Sequence, residues 1–216
     1  MDVEFRALAW RRASLRAVEA AGPAQRGERL RLLAASQDGG AVHDCLVRFW
    51  GDILRSIPRR EVDIYVGWNV PEPPADPSPE EVVAYAELAA LVADPGMTSA
   101  VQQQLWRDRP ETIRDWQGLY SEVGDVMTDV VTFVAEGVRP HRGSELDRFV
   151  TAHAHARGLR DSPRFRAQLL TDATDTDHRI HRYWTLTGQL LGPRITVGQT
   201  HNWVYDALAN STKPDA

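Results

Sequence analysis

Apolar residues recur along this chain at the spacing of one helix face, segment after segment. Val42, Cys45, Leu46, Phe49, Trp50, Ile53, Leu54 and Ile57 follow an i, i+3, i+4, i+7 order. Trp116, Leu119, Tyr120, Val123, Met127, Val130, Val131 and Val134 do the same, and Gly137 then offers a stop, because glycine takes the left-handed conformation without a Cβ penalty. Further helices are predicted over residues 2–21, 26–35, 60–68, 80–93, 99–108, 144–157, 163–170, 175–191 and 197–209. Thr98, Ser144 and Ser162 stand where N-caps belong, since a hydroxyl can accept the free N–H groups of a first turn. Strand-like composition is confined to 62–70 and 194–197, each too short and isolated to build a sheet. The chain reads as all-α.

Residues 70–79 are half proline, which forbids a helix and predicts a stiff spacer. It divides an N-terminal helical segment, 1–69, from a part at 80–211 that carries a weak internal repeat. At a constant offset of 64, Glu81 falls on Glu145, Ala90 on Ala154, Gln104 on Gln168, Leu105 on Leu169, Asp108 on Asp172 and Thr112 on Thr176. Large apolar residues carry the match: Tyr85 meets Phe149, Val101 meets Phe165 and Tyr120 meets Trp184. The units, 80–137 and 143–209, each run long helix, short helix, long aromatic helix, and units of this size pack as antiparallel hairpins. An extra loop at 192–196 precedes the last helix, and the tail from Asn210 is expected to fray.

Apolar content of 43% and charged content of 25% are those of an ordinary globule. A net charge of −5 argues against nucleic acid as the main partner, which needs a concentrated positive field. Of 25 basic residues all but Lys213 are arginine; a GC-rich coding bias is the simpler reading, and a preference for arginine forks on carboxylates or phosphates is the alternative. A single cysteine, Cys45, excludes an intrachain disulfide and fits a reducing cytoplasm. No long apolar run suggests a membrane span or a signal peptide, so a soluble cytoplasmic protein is expected.

Signals for catalysis are few. His178 and His181 share a helix face at i, i+3 and could ligate a metal if further ligands converged, whereas His153 and His155 point to different sides. His201 lies on the last helix, and hydrogen-bonded or solvated histidines are the simpler reading of all five. Cys45 sits on an apolar face, where a thiol is inert unless a cation lowers its pKa. Glu80, Glu81, Asp125 and Asp129 look like solvated edges. No HExxH, CxxC, phosphate-loop or GxSxG motif occurs.

The aromatics speak louder. Seven tryptophans is high usage, and Trp106, Trp116, Tyr120, Tyr183, Trp184, Trp203 and Tyr205 all lie in the repeat. Core filling accounts for some of them. Neighbours such as Tyr183 and Trp184, or Trp203 and Tyr205, are not expected to share one core from one helix. Some rings should therefore line a groove, with Gln104, Gln117, His181 and Asn202 as polar neighbours.

The run SAVQQQLWRDRPETIRDWQGLY, the run DSPRFRAQLLTDATDTDHRIHRYW and the closing THNWVYDAL together resemble a known family. They look like the antibiotic-recognition domains of MerR-type drug-sensing regulators, of the thiostrepton-induced (TipAS) kind, with their stand-alone albicidin-binding relatives. The likeness spans about residues 80–209 and rests on helix pattern. It implies an all-α protein that closes around a bulky aromatic or apolar small molecule, either sequestering it or reporting it to transcription. A MerR protein opens with a winged helix-turn-helix, of which nothing is recognisable after Met1, so these residues are not expected to bind DNA. Some members capture the drug through a thiol that has no counterpart in this repeat, so noncovalent binding is expected, without a cofactor or metal. The expected ligand contacts are Gln104, Trp106, Trp116, Tyr120, His181, Tyr183, Trp184, Trp203 and Tyr205. The alternatives are a metal-dependent helical-bundle enzyme using His178 and His181, and an interaction module in which a second copy of the chain is the partner.

Overall fold

A computed structural model describes residues 2–106, 109–171 and 177–212. They form α1 (Asp2–Ala20), α2 (Arg26–Ala34), α3 (Gly39–Ile53), α4 (Arg59–Asn69), α5 (Pro79–Ala93) and α6 (Met97–Trp106). After a short 3-10 turn at Pro110–Thr112 come α7 (Trp116–Ala135), α8 (Ser144–His155), α9 (Pro163–Thr171), α10 (His178–Leu191) and α11 (Val197–Thr212). No strand occurs among the described residues, and the protein is all-α. Nor is any of these helices long and apolar enough to cross a membrane.

Local chemistry explains most boundaries. Asp38, Asp115 and Asp177 accept first-turn N–H groups of α3, α7 and α10. Ser78 and Glu81 form a reciprocal capping box on α5, so Glu81 is not the solvated edge expected of it. Ser162 caps α9 as anticipated, its hydroxyl accepting from Phe165 N at 3.2 Å. Two other expected caps fail. Thr98 lies inside α6, and Ser144 is the first residue of α8, its hydroxyl donating to Glu145 Oε1. Gly137 does end α7, at φ +68°. Residues 62–70, β-like in composition, are helical through Asn69, and Asn210 continues α11 rather than fraying. Asp108, Asp172, Asp175 and Thr176 lie outside the described residues.

The proline stretch is a strap rather than a spacer. Val70, Pro71 and Pro77 are buried, and the Tyr85 hydroxyl donates to Pro71 O at 2.8 Å. The N-terminal helices α1, α2 and α3 all pack on α5. Trp10 meets Tyr85 edge-on at 5.5 Å, and its indole donates to Ser36 O. Phe5, Leu8 and Leu15 of α1 face outward.

Two hydrophobic cores result. The first joins α1–α4 with α5, α6 and α10. The second joins α8, α9 and α11 with the C-terminal half of α7. Helix α7 runs between them: Leu119 belongs to the first core, Val126, Met127 and Val130 to the second, and Val123 touches both.

The first unit of the repeat, 80–137, holds α5, α6 and α7, and the second, 143–209, holds α8, α9, α10 and most of α11. Two of the three large apolar equivalences are buried in both copies, Tyr85 with Phe149 and Val101 with Phe165, whereas Tyr120 is half-buried and its counterpart Trp184 is buried. The pairing differs from two self-contained hairpins. The third helix of each unit packs chiefly on the first helix of the other, α7 on α8 and α10 on α5. Ion pairs mark the exchange, with Arg179 donating to Asp94 at 2.7 Å and Arg182 binding Glu87. Backbone bonds mark the other side, where Arg114 N, just before α7, donates to Ala156 O just after α8 at 2.7 Å.

Candidate functional site

Where α7 passes from one core to the other, it leaves a cleft of about 470 Å³ against α4 and the start of α11. Each wall is one helix face. Glu61, Ile64, Tyr65 and Trp68 follow i, i+3, i+4, i+7 on α4. Gln117, Tyr120, Ser121, Gly124 and Thr128 do likewise on α7, and Val197, Thr200 and His201 close the third side. Leu54, Leu105, Trp106 and Met127 form an apolar floor.

Hydrogen bonds fix the walls to one another. The Tyr120 hydroxyl donates to Glu61 O at 3.2 Å, joining α7 to α4. Asn69, 2% exposed, donates from Nδ2 to Tyr65 O at 2.9 Å and accepts from Val197 N through Oδ1 at 3.2 Å. It thereby satisfies one of the free N–H groups at the start of α11. Thr196 and Gln199 exchange bonds across that same turn. The His201 ring meets Val197 O through Nδ1 at 3.0 Å.

The mouth is apolar and open, with Trp68 59% and Ile64 53% exposed. Large apolar groups left in water beside a cavity mark binding surfaces more often than scattered single ones do. Within the cleft, Glu61 Oε2 and the Tyr65 hydroxyl are buried without a hydrogen-bond partner. Burial, then Tyr183 and Tyr120, pushes the Tyr65 pKa well up; burial, then Glu61, pushes Tyr120 up to about 12. Both hydroxyls therefore keep their protons at neutral pH; that of Tyr120 donates to Glu61 O, and that of Tyr65 has its proton to offer.

Alkali tests this burial. Tyr65 and Tyr183, whose pKa burial also raises, ionise more readily unfolded than folded. Their contribution is intact below about pH 10 and is lost as pH rises above it, at roughly 1.4 kcal/mol per pH unit for each ring. Tyrosinate absorbance is expected to appear together with loss of helical circular dichroism. Smooth ionisation near pH 10 in a folded protein would contradict the burial.

The structure divides the expected contact residues. Tyr120 and Trp106 line the cleft. Trp116 meets Trp106 edge-on at 5.0 Å beside a smaller cavity of about 350 Å³, which those two rings share with Ile53, Arg55 and Glu111. Tyr183, Trp184 and Gln104 lie in the core, where Trp50 Nε1 donates to the Tyr183 hydroxyl at 2.6 Å and Trp184 Nε1 to Gln104 Oε1 at 3.0 Å. Tyr183 and Trp184 are both buried because α10 is packed from two sides, so the argument from neighbouring rings fails there. Trp203 is buried in the second core with its indole donating to Val138 O, and Tyr205 is half-buried away from the cleft. His181 is exposed and outside it.

His178 is exposed as well, and among the described residues no three His, Cys, Asp or Glu side chains converge as a metal site. Cys45 is half-buried on α3. The residues missed from sequence are those of α4: Glu61, Ile64, Tyr65 and Trp68. Their helical spacing was the available signal. Comparison of the chain with protein-family models, with curated proteins and with solved structures finds no match to any of them.

Proposed function

We propose that this chain binds a bulky aromatic or apolar small molecule in the cleft between α4, α7 and α11, and acts as a sequestering or effector-sensing protein of the TipAS-like kind. One observation carries the reading: an apolar cleft of about 470 Å³ with an exposed tryptophan at its mouth and a buried, unpartnered tyrosine hydroxyl within. That is the form small-molecule sites take, apolar walls with a few polar groups that set orientation. Most of the affinity comes from covering Trp68, Ile64 and Tyr120, at roughly 1–3 kcal/mol for each well-covered side chain.

Titration with a panel of polycyclic and peptide antibiotics is expected to quench tryptophan fluorescence and raise the melting temperature. Trp68→Ala should remove most of the quenching and weaken binding about tenfold. No response to any compound, or a full response in Trp68→Ala, would sink the assignment.

A further inference from the structure

Glu61 stands in the first turn of α4, where a carboxylate usually serves the helix N-terminus. It does not cap this helix, and Oε2 is buried with no donor. A carboxylate oxygen taken from water without a partner is destabilising, and the penalty is removed only when a donor arrives. Glu61 lines the cleft, so a donor group on a molecule lying there is the partner Oε2 lacks.

The other titratable groups facing the cleft are Tyr65 on α4, Tyr120 and Asp125 on α7, and His201 on α11. No lysine or arginine is among the described lining residues. Asp125 also acts on Arg148, which is itself bound to Asp129 at 2.5 Å. The cleft thus combines apolar walls, two lining carboxylates with no lining lysine or arginine, and an open indole face, and an indole attracts cations to its ring.

We propose that the ligand is a flat apolar cation: a ring system whose protonated nitrogen donates to Glu61 Oε2 while its face lies against Trp68. This rests on the cleft being the ligand site and adds the sign of the ligand's charge. The Tyr65 hydroxyl supplies a donor for an acceptor atom on the same molecule.

Three acridines on one ring frame separate charge from shape: cationic proflavine, neutral acridine and anionic acridine carboxylate, titrated by calorimetry at mildly alkaline pH. Proflavine is expected to bind about ten- to a hundredfold more tightly than the carboxylate, with acridine between them. Glu61→Gln should lower proflavine affinity about tenfold or more and leave acridine within about twofold. Should that variant melt early, Glu61→Asp keeps the charge and must keep the order of the series. Equal affinities, a preference for the carboxylate, or a Glu61→Gln variant that still favours proflavine overturns the charge assignment and leaves the cleft as a binding site. No binding by any of the three overturns both.

Discussion

Replacing Trp50 with alanine is expected to lower the unfolding free energy by about 3–5 kcal/mol, a large part of what a domain of this kind possesses. The ring is fully buried, with Tyr65 at 4.9 Å, Phe49 at 5.5 Å, Trp184 at 5.7 Å and Tyr183 at 5.8 Å between centroids. It therefore joins α3 to α4 and α10 in one contact set. Its N–H bond to Tyr183 is the smaller part, since a neutral hydrogen bond contributes only about 1 kcal/mol net. Trp50→Phe, which keeps a ring and loses the N–H, should cost roughly 1–3 kcal/mol. Urea denaturation of the two variants reads the difference. Equal midpoints would mean that the hydrogen bond, not the packing, dominates.

Gly198→Ala should cost about 1–3 kcal/mol and weaken ligand binding together. A Cβ there would fall 2.3 Å from Trp184 Cγ. The indole cannot retreat, because Gln104 holds its nitrogen and Trp50 stands behind it. The first turn of α11 must give way, drawing Val197 from Asn69 and opening the third wall of the cleft. Gly188→Ala in α10 is the matched control: its Cβ meets nothing within 4 Å, so the change is expected to stabilise by roughly 0.5–1 kcal/mol. Melting curves and ligand titration of both variants check the pair. If they destabilise alike, steric contact with Trp184 is not the cause.

Much of the fold was legible because periodicity reports which face of a segment is apolar. Val42, Leu46, Phe49, Trp50 and Ile53 are buried as their spacing foretold, and so are Leu119, Met127 and Val130. Periodicity does not report which other face will meet it. Nothing in the spacing of α10 or α5 distinguishes a partner within the unit from one in the next. The cleft was hidden for a related reason. The helix over 60–68 was expected, but the spacing of Glu61, Ile64, Tyr65 and Trp68 does not say that this face borders a cavity rather than a core. Trp68 is exposed because of where α7 and α11 arrive, and α4 alone says nothing of that. Trp184, expected from sequence to contact a ligand, is covered by Gly198, whose lack of a side chain is what admits the ring.

The exchange of third helices also sets an order of assembly. Helices α7 and α8 are neighbours in the chain and can pair as soon as both are made, with only a short loop to close. Helix α5 must wait for α10 while residues 94–177 are synthesised, and until then Glu87 and Asp94 lack their arginine partners. The N-terminal helices, already present, shield much of α5 during that interval. On this account α1–α3 serve the nascent chain as well as the finished one, guarding an apolar helix from other chains on the ribosome until its distant partner emerges.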